Sequence, residues 1–287
     1  MNIPLPNLKA LFKSRPLREK PQTVAQLVQG HKLEAAFQPI VNLKTASISG
    51  HEAYVRSSKG VELRHPKALM LAAKETHFQR DFELACVDYA ITGWGKQFRQ
   101  GQLFINITAK SLVALEAQLE AGRLLKTLEG HVVPLRRMVF EVTEHSKFER
   151  VSELVQAANK LRAKGATIAM DDLKGSEGSL KMWFKLSPDI VKMDARLTAG
   201  VSNDAEKCDV IRSLVALAAK FGSTLVAKGV ETAEDLRTLR DLGVDFAQGF
   251  FLGSPDHSPT EVLNQRARGV ICEGWEADDS HTWAVSA

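Results

Sequence analysis

The sequence predicts a closed α/β barrel of the (β/α)8 type, and three observations carry that prediction. Eight short β-type runs recur along the chain, most gaps between them have helical periodicity, and each run ends in or near a polar residue. The length, 287 residues, suits such a barrel, for which roughly 250 residues is usual. An open doubly wound sheet would call for a Gly-rich phosphate loop after an early strand, and QPIVNLKTAS contains none.

The runs, in order, are AAFQPIV (35–41), SISGHEAYV (47–55), LFINIT (103–108), MVFEVT (138–143), TIAMDD (167–172), DIVKMD (189–194), STLVAK (223–228) and DFAQGFF (245–251). Helical patterns fill the gaps. FERVSELVQAANKLRAKG closes on Gly165 and CDVIRSLVALAAKFG on Gly222, each placed to end a helix.

The predicted barrel domain occupies residues 31–270. Before it, residues 1–30 carry Lys9, Lys13, Arg15, Arg18 and Lys20 against Glu19. They read as a solvated basic arm, with an amphipathic anchor on an anionic surface as the alternative. Thirty residues are too few to fold a second domain. After the barrel, residues 271–287 form an acidic tail whose Trp275 or Trp283 is expected to pack back on the domain.

At 44% hydrophobic and 25% charged the composition is that of a globular protein. A net charge of +4 does not demand nucleic acid, and would not repel a small anionic ligand. Cys86, Cys208 and Cys272 are odd in number and far apart. That argues against a disulfide framework or zinc site and fits a reducing cytoplasm. No apolar run approaches the ~20 residues needed to span a bilayer, and a cytoplasmic location is expected.

The polar residues at the run ends are Gln38, Glu52, Asn106, Glu141, Asp171 with Asp172, Lys192, Lys228 with Glu231, and Gln248. In a barrel the strand ends converge on one face, so these residues would surround one cavity. Glu52, Asn106, Glu141 and Asp171 offer oxygen ligands for a hard cation such as Mg²⁺ or Mn²⁺. Asp172 would reach a second ion, with Asp171 bridging. Paired ions about 4 Å apart activate water and stabilise the oxygens of an in-line phosphoryl displacement. Lys192 would then hold a phosphate oxygen or the attacking water. Each acid taken singly also reads as a turn or helix cap. Crowded at one rim, however, carboxylates repel unless something positive joins them.

The segments FQPIVNLKTASISGHEAYVR, FINIT, FEVTEH, MDDLKGSEGSL, DIVKMD, VAKGVET and AQGFFLG resemble, in order, the motifs of the EAL domain family. That family comprises bacterial cyclic di-GMP phosphodiesterases and their inactive relatives. The resemblance implies a TIM-like barrel, often with one strand reversed, and two-metal hydrolysis of cyclic di-GMP to pGpG. It assigns Glu52, Asn106, Glu141 and Asp171 to the first metal, Asp171 and Asp172 to the second, and Lys192 to the water. Gln38 and Arg56 would face the dinucleotide, Gln248 would form the far wall, and Tyr54 and Glu231 are placed with the ligand-binding residues. Glu144 resembles the acid that braces the loop after the paired aspartates.

Three departures bear on activity. The signature triplet reads Glu52-Ala53-Tyr54, and a tyrosine in place of leucine offers a π-face to a guanine. The loop DDLKGSEGSL differs from the family's DDFGTGYSSL at Leu173, Lys174 and Glu177. In the family this loop couples metal binding to a dimer partner, so a homodimer is a further expectation. Finally, active members have a glutamate where Lys228 stands. That exchange shifts the local charge by two units, each worth about 4 kcal/mol at ~4 Å and an effective dielectric near 20. A protonated lysine offers no lone pair to a metal. Either its ammonium replaces the second ion between Asp171 and Asp172, or it swings outward. The expected function is a degenerate regulator that binds cyclic di-GMP, or a protein partner, without efficient hydrolysis. Mg²⁺ or Mn²⁺ would then sit at one site only or be absent. The alternative is an active phosphodiesterase.

Overall fold

All eight β-type runs form strands of one closed ring in the computed structural model, which describes residues 23–58, 65–96, 101–120, 123–131, 133–143 and 148–273. The arm up to residue 22, Glu144, Trp275 and Trp283 lie outside the described residues.

The chain opens with α1 (Val24–Gln29), β1 (Leu33–Asn42), β2 (Ser47–Ser57), α2 (Pro66–Glu75) and α3 (Gln79–Gly95). There follow β3 (Gln102–Thr108), α4 (Ala109–Glu120), α5 (Arg123–Gly130), β4 (Met138–Thr143), α6 (Val151–Ala163), β5 (Thr167–Leu173) and α7 (Glu177–Leu186). The last third is β6 (Ile190–Met193), α8 (Ala195–Thr198), α9 (Ala205–Phe221), β7 (Thr224–Ala227), α10 (Ala233–Asp241), β8 (Phe246–Ala247) and α11 (Gln265–Cys272). Helix α1 lies within the segment assigned to the arm. Thr23 and Gln26 form a capping box at its start, and Val24 and Leu27 are buried with Leu33, Val55, Leu69 and Phe82.

The strands follow one another around the ring in sequence order. From β2 to β8 all neighbours are parallel, whereas β1 runs antiparallel to both β2 and β8. The cause is local. Only residues 43–46 separate β1 from β2, and a parallel crossover needs a dozen or more. Asn42 closes the turn, its Oδ1 accepting from Lys44 N (2.8 Å) and Thr45 N (3.1 Å).

Side chains alternate between the two faces of each strand. The outward set, including Ile105, Ile107, Phe140, Val142 and Met193, packs under the helices in the main core. The inward set begins with an apolar layer of Ile40, Phe104, Val139, Ala169, Ile190 and Val226, with Phe246 against it. Two residues nearer the rim, on the same strands or just past their ends, stand Gln38, Asn106, Glu141, Asp171, Lys192, Lys228 and Gln248. The sequence pattern of an apolar residue followed two positions later by a polar one (reversed in β1) thus builds a dry floor under a polar rim. Helix α9 ends as expected on Gly222, whose φ of 68° lets its N–H reach Ala218 O. Among the described residues no helix is long and apolar enough to cross a membrane.

Candidate functional site

Lys192 is fully buried at the centre of the rim. Its Nζ lies 2.6 Å from Glu52 Oε2 and 2.6 Å from Glu141 Oε1. Its ammonium also stands 5.8 Å from the centre of the Phe104 ring in the floor below. Burial alone would push the Lys192 pKa down, but Glu141, Glu52 and Asp171 outweigh it and hold it above the ordinary lysine range. The two glutamates divide in response. Burial tends to raise Glu52, yet the Lys192 charge and bonds from Lys192, Asn106 and Gln248 bring it down to about 2. Glu141 goes the other way, pushed up to about 8 by burial and the Glu52 charge.

Around this pair the amides form one hydrogen-bonded wall. Asn106 Nδ2 donates to Glu52 Oε1 (2.5 Å), and Gln248 Nε2 donates to Glu52 Oε2 (2.8 Å) and Gln38 Oε1 (3.1 Å). Gln38 Nε2 donates to Gly253 O (3.0 Å), and the Tyr54 hydroxyl lies 3.4 Å from both Gln38 Oε1 and Gln248 Nε2. Burial, then the Glu52 and Glu141 charges, raise the Tyr54 pKa well above the phenol range, so its hydroxyl remains a donor. Two buried acceptors in this wall, Glu141 Oε2 and Gln248 Oε1, have no hydrogen-bond partner among the described residues.

Lys228 follows β7 and turns inward rather than out. Its Nζ stands 2.5 Å from Asp171 Oδ1 and 2.5 Å from Asp172 Oδ1, with the lysine side chain 20% exposed. Consecutive strand residues would ordinarily face opposite ways. Here the β5–β6 register shifts between Met170 and Leu173, and Asp172 adopts a φ of 55°, so both aspartates reach the same cation. Burial lowers the Lys228 pKa, Asp171 and Asp172 raise it, Lys192 lowers it, and the sum is upward. Thr198 Oγ1 donates to Lys228 O and fixes the backbone beneath it.

The rim therefore joins Gln38, Glu52, Tyr54, Asn106, Glu141, Asp171, Asp172, Lys192, Lys228 and Gln248 in contacts at one end of the barrel. Two expected ligand residues stand apart. Arg56 is held at the outer end of β2, with Nη2 2.6 Å from His257 Nε2 and Nε 3.9 Å from Glu34 Oε1. Glu231 is exposed in the loop after β7. Sequence reasoning missed His257 and Thr198, whose roles depend on tertiary proximity that no local spacing announces. In the altered loop, Leu173 is buried at the end of β5, Lys174 is exposed, and Ser176 caps α7 with Glu177 in its first turn.

Chemically, a first divalent ion would find hard donors in Glu52, Asn106, Glu141 and Asp171, with Glu141 Oε2 unpartnered. The second position does not fit, because the Lys228 ammonium takes an oxygen from each of Asp171 and Asp172. As placed, no group of three or more acidic, imidazole or thiol side chains is arranged to hold a metal ion among the described residues.

A TIM-like barrel with one reversed strand and a carboxylate-rich rim crossed by two lysines defines the class of protein. Residues 22–255 match the family model described as EAL domain, and the chain belongs to that family. An uncharacterized protein of Azorhizobium caulinodans is 29% identical, over 77% of this chain and 31% of that protein. The cyclic di-GMP phosphodiesterase RocR of Pseudomonas aeruginosa is 28% identical, over 81% of this chain and 60% of its own. The chain thus spans less than two thirds of these curated relatives. Among solved structures, a standalone versatile EAL protein from Vibrio cholerae O395 in its c-di-GMP bound form superposes with a TM-score of 0.73, at 25% identity, covering 81% of this chain and 95% of that one. The manganese/cy-diGMP complex of Klebsiella pneumoniae BlrP1 gives a TM-score of 0.71 at 27% identity, over 85% and 60% of the two chains.

Proposed function

We propose that this chain is a cyclic di-GMP receptor in which hydrolysis is lost or strongly impaired. The observation that carries the reading is the Lys228 ammonium between Asp171 and Asp172, where a second ion would have to sit. In a two-metal phosphodiesterase the ions lower the pKa of the attacking water and stabilise charge developing on the phosphate. With an ammonium fixed there, the combined charge of Asp171 and Asp172 is halved from within, and the lysine presents a positive contact to a phosphodiester but cannot ionise water.

The other rim residues support binding. Gln38, Tyr54 and Gln248 form a preassembled polar wall, and the buried acceptors Glu141 Oε2 and Gln248 Oε1 have no hydrogen-bond partner among the described residues. Arg56, although held by His257, is a bidentate phosphate donor when released. Relatives named as phosphodiesterases, and neighbours solved with the dinucleotide, make cyclic di-GMP the ligand to test first.

The second reading is an active enzyme. It is favoured by Glu52, Asn106, Glu141, Asp171, Asp172 and Lys192 all standing at one rim. A calorimetric titration with cyclic di-GMP, with and without Mg²⁺, followed by chromatography of the nucleotide, separates the two. The receptor reading expects saturable binding without Mg²⁺ and recovery of intact ligand. Stoichiometric conversion to pGpG would establish the enzyme, and no binding at millimolar ligand would leave a protein partner as the regulated species. We further propose that the working domain begins with α1 and its cap at residue 23, ahead of the expected start at 31, and acts as a homodimer in the cytoplasm, the last on the three free cysteines.

A further inference from the structure

A cavity of about 700 Å³ opens beside the rim, between the α2–α3 turn and the start of α4. That volume lies within the roughly 300–1,000 Å³ of sites that take small ligands. None of the rim cluster lines it, although Thr108 in its wall is only two residues beyond Asn106 on β3.

The wall is cationic. Among the described residues it carries Lys74, Arg80 and Lys110, with His77, and one carboxylate, Asp81. Arg80 Nε and Asp81 Oδ1 are 3.4 Å apart with both side chains more than half exposed, so water screens the pair and a ligand oxygen can compete for the guanidinium. A second acid, Glu83, is buried behind the wall, and its oxygens are already taken. Gln79 Nε2 donates to Oε1 (2.9 Å), while Thr108 N (3.0 Å) and Oγ1 (2.8 Å) donate to Oε2. Its charge holds the β3–α4 corner instead of facing the cavity. Phe148 supplies an apolar patch, with the Arg150 guanidinium 5.8 Å from the centre of its ring. Cations drawn from α2, α3 and α4, which no single helix face could bring together, thus surround one space.

We infer that this cavity is a second ligand site, for a small molecule carrying a pyrophosphate or comparable multiply charged phosphate group. The Lys110 ammonium acts there as a point charge and Arg80 as a planar fork, a combination suited to several phosphate oxygens at once. The inference stands apart from the rim and does not depend on what the rim binds.

Calorimetric titration of the full chain with inorganic pyrophosphate at low ionic strength tests it. One saturable equivalent is expected. The Arg80→Gln/Lys110→Gln variant should bind at least about tenfold more weakly, or ~1.4 kcal/mol, and Arg80→Glu/Lys110→Glu should abolish binding. Circular dichroism and thermal melting check the fold of both, and the milder Gln pair carries the test where charge reversal does not fold. One control locates the anion. Lys181→Gln/Lys185→Gln removes the same charge from exposed positions on α7 that do not line the cavity, and should bind pyrophosphate as the parent does. The inference is overturned by absence of saturable binding, by unchanged binding in Arg80→Gln/Lys110→Gln, or by equal weakening in the α7 variant.

Discussion

Lys192 and Glu52 meet across the full width of the barrel, Nζ to Oε2 at 2.6 Å, from strands four places apart in a ring of eight. Both side chains are essentially without solvent contact, so each charge is tolerable only because of the other and of Glu141. Lys192→Met should therefore destabilise the fold by about 3–5 kcal/mol, the usual cost of leaving a buried charge unpaired. Urea unfolding measures this, and a loss below about 1 kcal/mol would mean that the carboxylates do not depend on the ammonium.

Exchanging Lys228 for glutamate tests the other cation. The parent should turn over cyclic di-GMP below about 0.01 s⁻¹, against a median near 10 s⁻¹ for enzymes in general. Lys228→Glu should gain one equivalent in a Mn²⁺ titration, with turnover rising only in part because Lys174 and Glu177 still alter the neighbouring loop. Two equivalents bound by the parent would remove the basis for the receptor reading.

Gly249 is where the loops after β7 and β8 touch. A Cβ there would stand 2.1 Å from Val230 O, while Val230 N donates to Gln248 O (3.1 Å). Gly249→Ala must push these loops apart, at about 1–3 kcal/mol. Because Gln248 moves with them, cyclic di-GMP affinity should fall as well. A variant as stable as the parent would show that the approach is looser than described.

Asp235, in the first turn of α10, accepts from Gly200 N and Ser202 N, both at 3.0 Å. Burial raises its pKa, but these backbone donors outweigh it and hold the carboxyl below its ordinary value. A depressed carboxylate contributes stability that is complete above the ordinary aspartate pKa, about 3.9, and is lost as the pH falls through the folded value. Asp235→Asn should cost about 1.5–3 kcal/mol at neutral pH, with the gap to the parent closing on acidification. A gap independent of pH would point to shape, not charge.

Most of the fold was legible because strand and helix signals here are local. Seven of the eight runs were read to within about two residues of their ends, whereas DFAQGFF (245–251) holds only the two-residue β8, and the placement of the rim acids followed from one rule about where strand ends converge. One reversed strand was expected from the family resemblance, and the gap of residues 43–46, too short for a crossover, identifies it as β1. The start of the packed chain was read late, because a basic segment hid the Thr23 and Gln26 cap signal. Within the site, Lys228 was identified by what it replaces, and its inward turn depends on a bulge at Asp172 that no propensity specifies. The tie between Arg56 and His257 was not legible at all. It joins residues 201 positions apart through a loop whose path only the folded chain defines.

The reversed first strand also sets the order in which this protein can assemble. The ring shuts where β1 meets β8, through Val41 with Ala247 and Asn42 with Phe246, extended by a bridge from Phe37 to Asp256. These partners are more than 200 residues apart, so the contacts that seal the barrel are the slowest to find one another. Until residue 247 has left the ribosome, the nascent chain holds β1 and β7 as unpaired edges, each a template for joining another chain. Synthesis of this protein is thus most exposed to aggregation at its end, and variants that weaken the two-residue seam should lower soluble yield before they lower the stability of the molecules that close.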